Sequence, residues 1–364
     1  MNVALTAPHG PFPAAINRAI SLAAGGCRSQ AEAAMAATGQ AMRNLLDGLG
    51  DLATWRLSTL TGDGFPCELT FTTANDALRL TCETGAPRAA GSKRLGEVAR
   101  LAAMLSSPGV GAGSDPGVDA DLALLERLQS WQALGPLEFG AWLGLRVTTA
   151  GRVGTKVYAE MPAAAQPAAL RDLASCFGVE PGLPGREKSL RMIGFTPGHS
   201  RLEYYFAVHG LQSWEIGALM HPLGLHGRRA EVLPVFESVL GRALHHALPS
   251  PVFGFSYAVG GDELPVFSFY AFADHLFRSD ASARARLLEF LQRHDLQLNG
   301  YEAVSEPVRQ DATTAHGHGL FGVALAGDLP PVIHVGLRPP LTRAPDAGQG
   351  QSDKMQQPGG AGYA

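Results

Sequence analysis

Lys156-Val157-Tyr158 and Arg201-Leu202-Glu203-Tyr204-Tyr205 set cations, tyrosines and a carboxylate at alternate positions. Side chains on a strand alternate between faces, so Lys156 and Tyr158 point one way together, as do Arg201, Glu203 and Tyr205. Other alternating stretches add Arg79, Tyr270 and His334. Cations drawn from separate strands and interleaved with tyrosines suit a polyanion. Arginine grips phosphate oxygens bidentately, and lysine acts as a mobile point charge. Tyrosine offers a hydroxyl to phosphate and a ring face to a cation. A diphosphate has the charge for such a site. Several cations buried without a counter-charge are prohibitive, so this face looks either at bulk water or into a wet cavity that takes an anion.

The elements that carry these residues recur along the chain. Paired alternating strands joined by short Gly, Asp or Asn turns are predicted at 66–72 with 77–83, 141–149 with 152–160, 189–195 with 200–208, 252–259 with 265–273, and 320–326 with 331–338. Helical patterns are predicted at 13–50 (broken at Gly25-Gly26), 91–107 with 120–132, 165–177, 212–246 and 280–297. A hairpin-plus-helix unit repeated in this way points to one architecture. Antiparallel strands in this number close most economically into a barrel, which leaves no exposed edge. Each hairpin has one apolar face, as in Leu202/Tyr204/Phe206/Val208, and helices need such a surface to pack on. The apolar faces therefore point outward and the polar faces into a lumen wider than an eight-stranded barrel would leave.

With that assignment the lumen holds Glu68, Thr70, Arg79, Thr81, Glu83, Trp142, Arg146, Lys156, Tyr158, Glu160, Arg201, Glu203, Tyr205, Ser268, Tyr270 and His334. The competing reading is an ordinary solvated sheet face, with local pairs such as Lys156 to Glu160. Repetition of the pattern on four hairpins favours the cavity.

Composition bounds the rest. A hydrophobic content of 46% against 17% charged describes a soluble globular protein with ample core. A net charge of −4 gives no reason to expect nucleic acid or an anionic membrane as partner. Cys27, Cys67, Cys82 and Cys176 have no metal-ligand spacing and read as reduced thiols in a cytoplasm. No apolar run is long enough to span a bilayer, and no signal peptide is recognisable. High Ala, Gly and Arg usage points to a bacterial, GC-rich source.

Gly64-Phe65-Pro66-Cys67-Glu68-Leu69-Thr70 followed by Leu78-Arg79-Leu80-Thr81 resembles the opening hairpin of the dimethylallyltryptophan synthase family. Lys156-Val157-Tyr158 resembles that family's KxY strand, and Arg201 with Tyr205 after Ile193-Gly194-Phe195 resembles its RxKxY strand. Phe269-Tyr270 resembles a further tyrosine strand, and Val332 to Arg338 falls where the last barrel strand belongs. The resemblance spans about 50–338. It implies an α+β fold, the ten-stranded antiparallel αββα barrel with an outer ring of helices. Residues 1–50 are then a helical segment packing on the barrel, 51–338 a single catalytic domain, and 339–364 a disordered tail.

The activity implied is metal-independent transfer of a dimethylallyl or longer allylic group from its diphosphate to an indole, such as tryptophan, in alkaloid-type secondary metabolism. Arg79, Lys156 and Arg201 would hold the diphosphate, and His334 would contribute to the same end. Tyr158, Tyr205 and Tyr270 would shield the allylic cation with their rings and bind the diphosphate through their hydroxyls. Glu68 would accept the indole N–H, with Trp142 beside the acceptor. No metal or cofactor is expected. The partners are the two small-molecule substrates, with the protein a monomer or homodimer. Asp119 and Asp121, two apart on a helix, do not share a face and form no magnesium motif.

Three departures stand out. Glu203 takes the place of the family's middle lysine, which should weaken diphosphate binding unless it pairs with Arg201 or another lumen cation. His334 stands where a tyrosine is common. Arg146 lies near a position often held by a basic lysine, and arginine cannot serve as a base. Glu68, His334 or water would then take the proton. Ser268, with Trp142 and Gly254, would bear on donor length. A phenolic acceptor on the same fold, and a degenerate lumen-binding relative, are the alternatives.

Overall fold

The computed structural model describes residues 11–43, 58–84, 92–106, 117–177, 183, 186–310 and 317–340. All but the first two residues of the expected tail of 339–364, and the end of the first helical stretch, lie outside the described residues. The ten strands are β1 (Cys67–Thr72), β2 (Leu78–Cys82), β3 (Ala141–Val147), β4 (Val153–Glu160), β5 (Lys188–Phe195), β6 (Leu202–His209), β7 (Val252–Val259), β8 (Val266–Phe272), β9 (His318–Ala326) and β10 (Val332–Leu337). All neighbours pair antiparallel, and β10 pairs with β1, so the sheet closes. The predicted strands and turns coincide with these to within two residues.

Turn chemistry sets the hairpins. Gly260 between β7 and β8 has φ +93°, and a Cβ there would come within 2.6 Å of the Ser200 carbonyl oxygen. Only glycine is free of strain at that φ, and only glycine fits that contact. All five hairpin turns lie at one end of the barrel, and the helical crossovers return at the other.

Around the sheet run α1 (Pro11–Ala23), α2 (Arg28–Ala41), α3 (Ser92–Leu105), α4 (Gly117–Gln132), α5 (Gln166–Phe177), α6 (Ile216–Met220), α7 (Arg229–Leu240), α8 (Ala273–Leu276), α9 (Asp280–Arg293) and α10 (Tyr301–Ser305). The stretch predicted as one helix over 212–246 is broken into short turns before α7. Pro222 lacks an N–H, and Gly224 adopts φ +70°, which ends the helical path.

The core lies between barrel and helices. Leu69, Leu80, Leu143, Val157, Ile193, Phe206, Phe255, Phe269, Val323 and Val335 point outward and are buried. Phe236 of α7 meets Phe253, Phe269 and Phe321 edge-on at 5.9, 5.6 and 5.1 Å. Aromatic packing of this kind binds helix to sheet beyond simple area burial. Gln30 of α2 donates to the carbonyls of Asp76 and Val147 at 2.9 and 2.8 Å, pinning the N-terminal helices to the outside near the turn end. Asp121 of α4 accepts from the Gly198 N–H at 2.6 Å and so holds the β5–β6 turn rather than a metal.

Candidate active site in the barrel lumen

With the outer face apolar, alternation sends the polar residues inward, and the register shows which of them meet. Lys156 on β4 reaches across β5 to Glu203 on β6. Gly194, opposite Glu203, makes this possible: a Cβ there would lie 2.7 Å from Lys156 Cε. The Lys156 ammonium ion-pairs with one Glu203 oxygen and donates to the Tyr205 hydroxyl at 3.0 Å. The other Glu203 oxygen accepts from Ser256 Oγ at 2.5 Å. The Tyr158 and Tyr205 ring centroids lie 5.3 and 5.4 Å from the ammonium. Burial disfavours both charges, yet the pairing prevails. The Glu203 carboxyl stays below its usual range and the Lys156 amine above its own.

The same device recurs round the lumen. Tyr158 lies over Gly144, Tyr270 over Gly254, and His334 over Gly322. A Cβ at Gly254 would fall 2.0 Å from the Tyr270 ring, and one at Gly322 would fall 2.3 Å from His334 Nε2. Each bulky polar side chain thus leans across a neighbouring strand whose inward residue has no side chain. Burial pushes the Tyr205 and Tyr270 hydroxyls well up, so both remain protonated donors. Burial also pulls His334 down to about 4, leaving a neutral imidazole.

The strand directions sort the site along the barrel axis. Arg79, Arg146 and Arg201 stand near the hairpin-turn end, whereas Glu68 and Trp142 stand toward the crossover end. Glu68 is 7% exposed and lies against Gly319 and Gly336. No donor among the described residues reaches its carboxylate, and burial raises its pKa to about 8. Trp142 stacks on Phe139 at 3.9 Å with its indole N–H buried and unpartnered. Ser268 lies opposite Ser256 on the lumen wall.

Other residues assigned to the lumen from sequence have partners of their own. Glu83 pairs with Arg94 of α3 at 2.6 Å, both buried. Glu160 accepts the backbone N–H groups of Glu138, Phe139 and Gly140 at 2.8, 2.7 and 2.6 Å and so ties the segment before β3 to the end of β4. Arg201 ion-pairs with Glu263 and donates to the Leu264 carbonyl at 2.9 Å, which ties it to the β7–β8 turn. Glu203's partner is therefore Lys156, with Arg201 held elsewhere. Ser256 and the lumen glycines were not singled out as a set from sequence. Their signal is alternation itself, since Gly254, Ser256 and Ala258 are the in-phase residues of β7.

Cys67 and Cys82 meet across β1 and β2 as free thiols, their sulfurs 3.8 Å apart. Among the described residues no three His, Cys, Asp or Glu side chains gather as a metal site, and no helix is long and apolar enough to cross a membrane.

No protein-family model and no curated protein matches the chain. Solved structures do. The crystal structure of 5-dimethylallyltryptophan synthase from Streptomyces coelicolor superposes with TM-score 0.67 at 16% identity, over 90% of this chain and 97% of that one. The 6-dimethylallyltryptophan synthase from Micromonospora olivasterospora, in complex with DMASPP and Trp, gives 0.66 at 17%, over 89% and 96%. The prenyltransferase PriB, in a ternary complex with L-tryptophan and dimethylallyl thiolodiphosphate, gives 0.68 at 17%, over 92% and 99%. The closed ten-stranded antiparallel sheet ringed by helices that these proteins share with this chain is the αββα prenyltransferase barrel.

Proposed function

We propose that this protein is an aromatic prenyltransferase that moves an allylic isoprenoid group from its diphosphate to an indole acceptor by electrophilic aromatic substitution. One observation carries the reading: a single lumen holds a buried carboxylate with no donor among the described residues toward one end, guanidinium groups toward the other, and three tyrosines on its wall. Solved barrels of the same fold that hold tryptophan and a dimethylallyl donor analogue support it.

In this scheme the diphosphate faces Arg79 and Lys156, with Arg201 at the rim. Their charge offsets what develops on the leaving group as the C1–O bond breaks and the diphosphate departs with the electron pair. The rings of Tyr158, Tyr205 and Tyr270 flank the allylic cation and exclude water. Glu68 accepts the indole N–H and raises the ring's nucleophilicity, with Trp142 beside it. The aromatic carbon attacks, and the arenium proton passes to Glu68 or to the neutral His334. The cationic side chains supply the neutralisation, so the scheme calls for no metal. A cytoplasmic, bacterial enzyme of secondary metabolism fits this chemistry, and its partners are its two substrates.

Incubation with tryptophan and dimethylallyl diphosphate in EDTA should yield a product heavier by one prenyl unit. Absence of product across indole and phenol panels with several donor lengths would leave a lumen binder, the reading that Glu203's hold on Lys156 favours. Product from phenols alone would move the acceptor class.

A further inference from the structure

Resting on that reading, we infer that Arg146 is a diphosphate ligand, and that Arg79 and Arg146 together form the main anion seat on the β2–β3 wall. The lumen cations differ in what already holds them. Lys156 holds the Glu203 carboxylate, and Arg201 holds Glu263 and the Leu264 carbonyl. Arg79 and Arg146 have no carboxylate partner among the described residues. Asn75 Oδ1, at 3.2 Å from Arg79 Nη1, is the acceptor that the described residues offer the pair.

Arg79 and Arg146 occupy directly opposed positions on β2 and β3. Like charges in directly opposed positions destabilise a sheet, and arginine cannot relieve the repulsion by losing its proton at neutral pH. Burial and then the Arg146 charge pull Arg79 down to about 10, the direction expected of a cation missing its counter-ion. An anion lying between the two forks removes the repulsion and gives each a bidentate partner. On its other side Arg146 faces Gly154, which carries no side chain, and Arg146 itself is exposed near the turn end of the barrel. A diphosphate has enough oxygens for both forks, whereas orthophosphate and sulfate span less. Glu203 and Arg146 then belong together. The carboxylate engages Lys156 on β4, and Arg146 provides a cation on the neighbouring strand β3.

Calorimetric titration with inorganic diphosphate in EDTA tests this without any transfer reaction. The protein should bind it more tightly than orthophosphate or sulfate. Arg146→Ala should weaken binding about ten- to a hundredfold, as loss of a charge-assisted contact does. Arg146→Lys should keep part of the affinity, and Lys93→Ala, on the exposed face of α3, should keep all of it. Circular dichroism melts establish that the exposed Arg146 site tolerates substitution. Binding of diphosphate by Arg146→Ala within twofold of the unaltered protein overturns the inference, as does equal affinity for sulfate. The two readings fail separately. Arg146-dependent diphosphate binding without prenyl transfer sinks the proposed activity alone, and transfer indifferent to Arg146 sinks the anion seat alone.

Discussion

Glu203→Gln separates two effects that the lumen now holds in balance. The substitution keeps the shape and the Ser256 contact but removes the charge that occupies Lys156. In the unliganded protein this should cost stability. Breaking a fully buried ion pair costs about 3–5 kcal/mol, but here Lys156 and Glu203 are 27% and 16% exposed. Lys156 also keeps the Tyr205 hydroxyl and two ring faces, so about 2 kcal/mol is a better expectation once solvent screening is counted. In a chain of this size that corresponds to a fall of a few degrees in melting temperature.

Donor binding should move the other way. A carboxylate about 6 Å from one phosphate charge repels it by roughly 3 kcal/mol at an effective dielectric of 20. Partial screening leaves at least about a tenfold gain in donor affinity when that charge is removed. Differential scanning fluorimetry with dimethylallyl S-thiolodiphosphate reads both effects at once. The unliganded variant should melt lower, and the analogue should raise its melting temperature by more than it raises that of the unaltered protein. Analogue affinity that stays the same or weakens, in a variant that remains folded, would refute the view that Glu203 holds Lys156 in reserve.

Glu68 should leave a signature in pH. Its folded pKa of about 8 lies above the unfolded value near 4.3. The fold is therefore favoured below the lower value and loses that stability as pH climbs through the upper one. Glu68→Gln should remove this loss, and should cut turnover while sparing diphosphate binding. In the unaltered enzyme kcat/KM should rise with pH to a plateau above about 8, because the N–H acceptor must be ionised. An unchanged profile in the variant would take Glu68 out of the mechanism. His334, held at about 4, should show the opposite linkage, with stability full above about 6.5 and lost as pH falls through 4; urea titrations of His334→Gln should lack that acid arm. Gly254→Ala should displace the Tyr270 ring at a cost of about 1–3 kcal/mol, and raise donor hydrolysis relative to transfer; chromatography of both products would show an unaltered ratio if Tyr270 shields nothing.

The strands were legible because alternation and turn residues agree locally. Val252–Val259 before Gly260-Gly261-Asp262 reads correctly from the letters alone. Closure followed from counting edges. The pairing inside the lumen was not legible, because it depends on register between strands far apart in the chain. Lys156 meets Glu203 only because Gly194 stands between them, and Arg201 is unavailable only because the β7–β8 turn brings Glu263 to it. Both facts belong to three-dimensional neighbours that no short window contains. The breaks before α7 were readable in principle from Pro222, Gly224 and Gly227, but a long apolar pattern hid them.

Closure of the sheet has a consequence for how such a chain can change. In an open sheet a strand that gains a residue can slide and re-pair at an edge. Here every strand is clasped on both sides, so an insertion within β4 would invert the facing of every residue beyond it and send Lys156 or Tyr158 into the helical shell. Length variation is therefore easiest in the five turns and the helical crossovers, and within a strand it needs a bulge such as the register shift between Leu190 and Met192. The lumen surface between the bulges changes most readily by substitution in place.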